Sequence, residues 1–195
     1  ELPAGASATE TFTVHSADGT THQLTVQIAG SNDAARISGT SSAQVSEDNL
    51  LQAGGKLDVQ DVDRGEAHFQ AGDQTGSYGS LHLDADGTWQ YTLNNASAKV
   101  QELPAGAIAN ETFTVHSADG TTHQITVQIA GQNDAAQISG TSTGSVTEDA
   151  TLHATGRLQV SDVDRNQSGF DPSDLGDKVG TYGTLHLNAD GTWTS

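Results

Sequence analysis

The sequence has no cysteine and no methionine. Without cysteine, disulfide framing and thiolate metal sites are excluded. Without an initiator Met, the sequence reads as a piece of a longer chain, with any export signal or anchor outside it. Aromatics are scarce at 5%, proline occurs 3 times, and the hydrophobic fraction is 33%. That is below the ~45–50% usual for globular chains when glycine is counted as well. Any core is therefore small and built from Val, Leu and Ile. Cations are also short: 7 Lys and Arg stand against 25 Asp and Glu, a formal charge of −18. Such a surface repels nucleic acid and anionic membranes. No apolar run is long enough to insert directly in a bilayer. The balance suits a protein that binds cations, or one that is simply kept soluble by charge.

What the sequence does have is a repeat. Glu1-Leu2-Pro3-Ala4-Gly5 recurs as Glu102-Leu103-Pro104-Ala105-Gly106. Thr11 to Thr20 recurs as Thr112 to Thr121, Asn32-Asp33-Ala34-Ala35 as Asn133-Asp134-Ala135-Ala136, and Asp61-Val62-Asp63-Arg64 as Asp162-Val163-Asp164-Arg165. These pairs are 101 positions apart; Tyr78 to Leu83 recurs as Tyr182 to Leu187, 104 positions on. The later copy thus carries an insertion near Phe170 to Asp174, which marks a surface loop. A period of about 100 residues suits a string of domains rather than a solenoid.

The local pattern is β. Phe12 and Val14 share one face, as do Leu24, Val26 and Ile28, with an Asp18-Gly19 hairpin turn between the two runs. Leu81 and Leu83, then Asp84 to Gly87, then Trp89, Tyr91 and Leu93 predict a second hairpin. Shorter strands are expected around Val45 and Leu57-Asp58-Val59, and one helical turn at most over Ala96 to Val100. About seven short strands per unit predict an all-β fold of tandem, immunoglobulin-like Greek-key β-sandwiches.

The joint between units is placed at Asn-Asp-Ala-Ala, which follows a strong strand and carries no large apolar residue. Residues 1–34 are then the C-terminal part of one repeat, 35–135 a complete sandwich, and 136–195 the N-terminal part of the next. Neither partial unit can bury its apolar face alone. Head-to-tail self-association, with 136–195 of one chain completed in trans by 1–34 of another, is one expectation. A fragment with loosely ordered ends is the plain alternative.

Acids recur at fixed phase around the joint. Asn32, Asp33, Glu47, Asp48, Asp61 and Asp63 form one set; Asn133, Asp134, Glu148, Asp149, Asp162 and Asp164 form the next. Calcium takes six to eight oxygens from carboxylates, amides, carbonyls and water. An Asp-x-Asp on extended backbone, an Asn-Asp linker and a Glu of the adjoining domain can supply them. The ordinary reading is solvated turn and capping acids. With so few Lys and Arg nearby, that reading leaves repulsion unrelieved, which favours calcium.

Other constellations are weaker. Asp84-Ala85-Asp86-Gly87 begins like a calcium-binding EF-hand loop, but the remaining ligand spacing is absent, so a β-turn is expected. His15 and His22 fall on opposite strand faces, and no zinc spacing exists. There is no nucleophile elbow, phosphate loop or basic cluster. Near-identical units in series also argue against an enzyme.

Together, Thr112 to His123, Ile129 to Gly140, Val146-Thr147-Glu148-Asp149, Asp162-Val163-Asp164 and Tyr182 to Trp193 resemble the VCBS-type tandem repeats of bacterial RTX adhesins. The resemblance covers essentially the whole chain. It implies an extracellular protein of the bacterial cell surface, with calcium at the interdomain linkers. The repeats would be an extender, with neighbouring repeats as partners, supporting adhesion or biofilm formation. It places linker acids on Asn133, Asp134, Glu148, Asp162 and Asp164 and their first-copy equivalents. The insertion near Asp171 and the stop at Ser195 depart from the pattern. Two other readings are a glycan- or protein-binding module, and a subunit of an extracellular fibre.

Overall fold

The computed structural model describes residues 1–195. The chain is nearly all β and divides into two compact units. One takes in Glu1–Val45, Asn49–Asn94 and Asn110–Ile129; the other takes in Ser46–Asp48, Asn95–Ala109 and Ala130–Ser195.

The first unit opens with a hairpin of β1 (Ser7–His15) and β2 (Thr21–Ala29). Phe12 lies opposite Leu24. The turn closes with Gly19 N–H donating to Ser16 O, at a φ of 88° that favours glycine. A β-sandwich follows. Its larger sheet has β3 (Arg36–Gly39), β5 (Gln52–Gln60), β8 (Thr88–Leu93), β7 (Gly79–Leu83) and β6 (Gly72–Thr75), in that spatial order. The facing sheet has β4 (Ser42–Ser46), β10 (Thr122–Ala130) and β9 (Ile108–His116). The chain thus crosses between sheets at β4 and again after β8, as an immunoglobulin-type sandwich does.

Alternation decides what is buried. Along β8, Trp89, Tyr91 and Leu93 point inward while Thr88, Gln90 and Thr92 are exposed. Phe113 and Val115 of β9 and Ile125, Val127 and Ile129 of β10 face them from the other sheet's inner side. Each such side chain contributes roughly 1.5–3 kcal/mol by leaving water. The Trp89 indole N–H donates to Thr40 O at 2.7 Å, so its polar edge is satisfied. The sandwich has eight strands, in line with the seven or so expected. The polar Gly72-Asp73-Gln74-Thr75 has no apolar alternation, yet it pairs as β6 along the edge of β7.

The same hairpin sequence behaves differently in its two copies. Phe113 is 4% exposed, whereas Phe12 is 50% exposed. Val14, Leu24, Val26 and Ile28 are exposed as well.

In the second unit, the turn α1 (Ala98–Gln101) buries Val100, and Leu103 is buried just after it. A five-stranded sheet follows: β11 (Gln137–Gly140), β12 (Thr155–Ser161), β15 (Thr192–Thr194), β14 (Thr184–Leu187) and β13 (Gly176–Val179). This order repeats that of the larger sheet of the sandwich. The three-residue insertion forms an exposed 3-10 turn at Pro172–Asp174, where Asp171 accepts from Ser173 N–H at 2.8 Å. No helix is long and apolar enough to cross a membrane.

Candidate metal sites at the linkers

The first acidic cluster is built on the linker between β2 and β3. Asp33 N–H donates to Asp63 Oδ2 at 2.8 Å. Asp63 N–H in turn donates to Asp61 Oδ1 at 2.8 Å. This bond is an Asx turn, so the Asp-x-Asp step is a bend and not the extended backbone expected from sequence. The bend still gathers carboxylates. Ligand oxygens of Asp61, Asp63 and Glu66 lie within 4.8 Å of one another, as do those of Glu1, Asp33 and Asp63. Asp119, in the turn between β9 and β10, reaches the same linker and accepts from Ala35 N–H at 3.1 Å. Burial opposes ionisation of Asp119, but hydrogen bonds from Ser117, Thr121 and Ala35 outweigh it and hold its carboxyl well below the usual range.

The second linker repeats these two hydrogen bonds, without three carboxylates as closely gathered as in the first. Asp134 N–H donates to Asp164 Oδ2 at 2.9 Å, and Asp164 N–H to Asp162 Oδ1 at 2.9 Å. Glu47, fully buried just beyond β4, accepts from Gln132 N–H at 3.1 Å. Asp48 sits beside it at a φ of 54° and is braced by Asn95, whose amide donates to it at 2.6 Å. The Asn32 and Asn133 amides donate to the backbone carbonyls of Asp33 and Asp134, which fixes the linker shape.

The electrostatics are strained in both places. Burial pushes the Glu47 carboxyl up, and the charges of Asp134, Asp48 and Asp164 add to this against the opposing Gln132 bond. Burial also raises Asp134, helped by Asp48, Asp164 and Asp162. Glu66 is raised by burial and then by Asp63, Asp61 and Asp119. No Lys or Arg pairs with any of these acids; the salt bridges of Lys56, Arg165 and Lys178 go to Asp86, Glu102 and Asp174. Most telling are the orphaned oxygens. Asp61 Oδ2, Asp63 Oδ1 and Glu66 Oε2 are buried without a hydrogen-bond partner in the first cluster. Glu47 Oε1, Asp134 Oδ2 and Asp164 Oδ1 are buried without one in the second. A buried carboxylate oxygen facing other carboxylates is costly unless a cation compensates it. The donor set is oxygen only and strongly anionic, which fits a hard ion such as calcium.

Not every expected residue joins these clusters. Glu148 and Asp149 are exposed on a turn closed by the Thr147–Thr151 bridge. Conversely, Glu66, Glu1 and Asp119 were not anticipated. Glu66 stands three residues after Asp63, and that spacing was a readable signal. Asp119 lies in a hairpin turn distant in sequence, which offered none. The third copy has Gln167 where the second has Glu66, so the two clusters are not identical.

The other motifs resolve as turns. Gly87 N–H donates to Asp84 O, and Asp86 accepts from Thr88 N–H at 2.8 Å and pairs with Lys56 at 2.7 Å. His82 has both ring nitrogens engaged, with Asp73 at 2.6 Å and Asp84 at 3.3 Å. His186 repeats this with Asp177 and Asn188. Neither imidazole has a nitrogen left for a metal.

A family model described as "Bacterial cadherin-like domain" matches residues 32–131. No curated protein matches. Among solved structures, the protocadherin GammaB4 extracellular domain is 16% identical, with a TM-score of 0.44 over 97% of this chain and 31% of that one. The PcdhgB3 EC1-4 structure is 14% identical, with a TM-score of 0.44 over 95% of this chain and 54% of that one. The chain thus spans about a third to a half of those chains. Likeness at this level is too loose to support a functional comparison.

Proposed function

Since the chain belongs to the bacterial cadherin-like domain family, we propose that it is a non-enzymatic extender of a bacterial surface adhesin, with calcium at its linkers. Residues 35–135 form the complete repeat in this reading, flanked by parts of two others at 1–34 and 136–195. Glu47 belongs to the complete repeat and Asp162 and Asp164 to the following one, with Asn133 and Asp134 between them. An ion held by Glu47, Asp134 and Asp164 ties one repeat to the next and removes hinge freedom. At the preceding linker Asp33, Asp61, Asp63 and Glu66 do the same. The observation that carries the reading is the trio of buried, unpartnered carboxylate oxygens at each linker.

Such a chain stands away from the cell surface and positions a terminal binding domain, in keeping with the resemblance to RTX adhesins and a part in adhesion or biofilm formation. The bound ion also stabilises the fold. At a calcium concentration 100 times its Kd, one site adds about 2.7 kcal/mol. The test is small-angle scattering of the chain in calcium and in EDTA, with terbium luminescence as a direct probe of the sites. A longer, stiffer particle in calcium and sensitised terbium emission are expected. Equal maximum dimensions in both buffers, with no terbium signal, would sink the proposal.

A further inference from the structure

The Asp-x-Asp bend occurs twice, with one backbone and two chemistries. Asp63 N–H donates to Asp61 Oδ1, and Asp164 N–H donates to Asp162 Oδ1. Glu66 N–H reaches back to Asp63 O and Gln167 N–H to Asp164 O, both at 3.3 Å. His68 N–H then closes on Glu66 O at 2.7 Å, and Gly169 N–H on Gln167 O at 2.8 Å. Each turn passes through a left-handed residue, Gly65 at a φ of 87° and Asn166 at 66°. Asparagine is one of the few residues besides glycine that visit this conformation routinely. Glu66 and Gln167 therefore stand at the same place beside their two aspartates.

What they bring there differs. Glu66 puts a third carboxylate within 4.8 Å of those of Asp61 and Asp63. Asp63 is 2% exposed, and Asp63 Oδ1, Asp61 Oδ2 and Glu66 Oε2 are all without a hydrogen-bond partner. The three residues belong to one turn, so this cluster is complete within a single bend. Gln167 brings an amide with no charge, and at its bend only Asp164 Oδ1 is orphaned. That bend has a brace of its own instead. Ser168 Oγ accepts from Asp162 N–H at 3.1 Å and donates to Asp162 O at 3.2 Å. The first bend has Ala67 at this position, which has no hydroxyl to do the same. The second bend closes on itself, whereas the first gathers three carboxylates and leaves an oxygen of each unpartnered.

We propose that this one position, Glu66 in one copy and Gln167 in the next, decides whether an Asp-x-Asp bend holds a calcium ion of its own. The bend with Glu66 holds one. The bend with Gln167 leaves its aspartates to the linker ion shared with Glu47 and Asp134. The physical reason is charge count, which sets the affinity of an oxygen site for a hard cation. A glutamine oxygen can touch calcium but does not offset its charge. Glu66 is only partly buried, so water completes the six to eight oxygens the ion takes. Two nearly identical repeats thereby load different numbers of ions, and the array responds to calcium in steps rather than all at once.

The experiment is calorimetric titration of the full chain with calcium, beside Glu66→Gln and Gln167→Glu, with circular dichroism to confirm that each variant folds. Glu66→Gln should bind one calcium ion fewer than the unmodified chain, or bind one of them at least about 10-fold more weakly. Gln167→Glu should bind one ion more, and the double variant should return to the original count. In EDTA, Glu66→Gln should melt no lower than the unmodified chain, since it removes one of three crowded charges. Unchanged stoichiometry and affinity in both single variants would overturn the proposal. So would a loss in Glu66→Gln with no gain in Gln167→Glu, because the position would then not be what selects the ion. The inference rests on the calcium reading of the linkers, and the two fail separately. An unmodified chain that binds no calcium overturns both, whereas calcium binding that neither substitution alters overturns this inference alone.

Discussion

Asp164 accepts the backbone N–H of Asp134 at 2.9 Å through one oxygen, while its other oxygen is buried with no partner. The first oxygen fixes the linker to the Asp-x-Asp bend. The second is held, already desolvated, among other carboxylates. Asp33 and Asp63 repeat the relationship at the earlier linker. The structure therefore carries a cost that protonation or a bound cation relieves, and several consequences can be measured.

Removing the charge of Asp164 should have opposite effects in two buffers. Asp164→Asn is expected to weaken calcium or terbium binding at the second cluster at least about 10-fold, because ligand charge sets affinity for hard ions. In EDTA the same variant should melt no lower than the unmodified chain, since it removes an uncompensated buried charge. Terbium titration and paired thermal melts check this.

The calcium-free protein should lose stability as pH rises from mildly acidic values. The folded-state values of Glu47 and Glu66 lie above their ordinary 4.5, and that of Asp134 above its ordinary 3.8. Groups raised on folding contribute stability that is full below the unfolded value and lost as pH climbs through the folded one. Asp119 works the other way: its contribution is present above 3.8 and is lost as pH falls below that value. Melts in EDTA should therefore peak at mildly acidic pH and decline toward neutrality. Saturating calcium should remove the decline, because the ion takes the ionised carboxylates. A melting temperature in EDTA that rises steadily to pH 7 would contradict this account.

The two copies of the hairpin glutamate should respond unequally. Glu111→Ala strands the Tyr91 hydroxyl and two backbone N–H groups in the sandwich and should cost about 3 kcal/mol. Glu10→Ala changes an exposed residue and should stay within about 0.5 kcal/mol in the dilute monomer. Denaturant unfolding followed by tryptophan fluorescence in a Trp193→Phe background, which leaves Trp89 as the reporter, reads both.

Phenylalanine gives the same contrast through packing alone. Phe113 packs against Tyr91 with ring centroids 5.9 Å apart. Phe113→Ala should cost about 3–5 kcal/mol by transfer and cavity terms. Phe12→Ala in the dilute monomer should cost less than about 0.5 kcal/mol. Chemical denaturation at low protein concentration separates the two.

Much of this protein was legible in the residues themselves. The alternation of Trp89, Tyr91 and Leu93, the Asp-Gly turns and the insertion at Asp171 all act over a few residues, so local pattern reveals them. The Asn-Asp linker and the Asp-x-Asp step were visible as recurring acids for the same reason. Glu66, three residues after Asp63, stands at an equally local spacing. Asp119 was not legible, because the β9–β10 hairpin carries it to a linker more than eighty residues earlier in the chain. The edge strand at Gly72–Thr75 escaped because its four residues have no apolar face; β7 gives them their partner.

What the sequence by itself determined is the repeat, the strand faces and which acids recur. Tertiary structure decided whether those faces are covered. Ser42–Ser46 is a strand where β10 lies beside it, whereas the matching residues 143–147 form none. Phe113 is buried and Phe12 is not, although their neighbours are the same. A strand needs a partner for its backbone groups, and an apolar face needs a second layer to leave water. Both come from residues far away in the chain, so one local sequence has two physical outcomes.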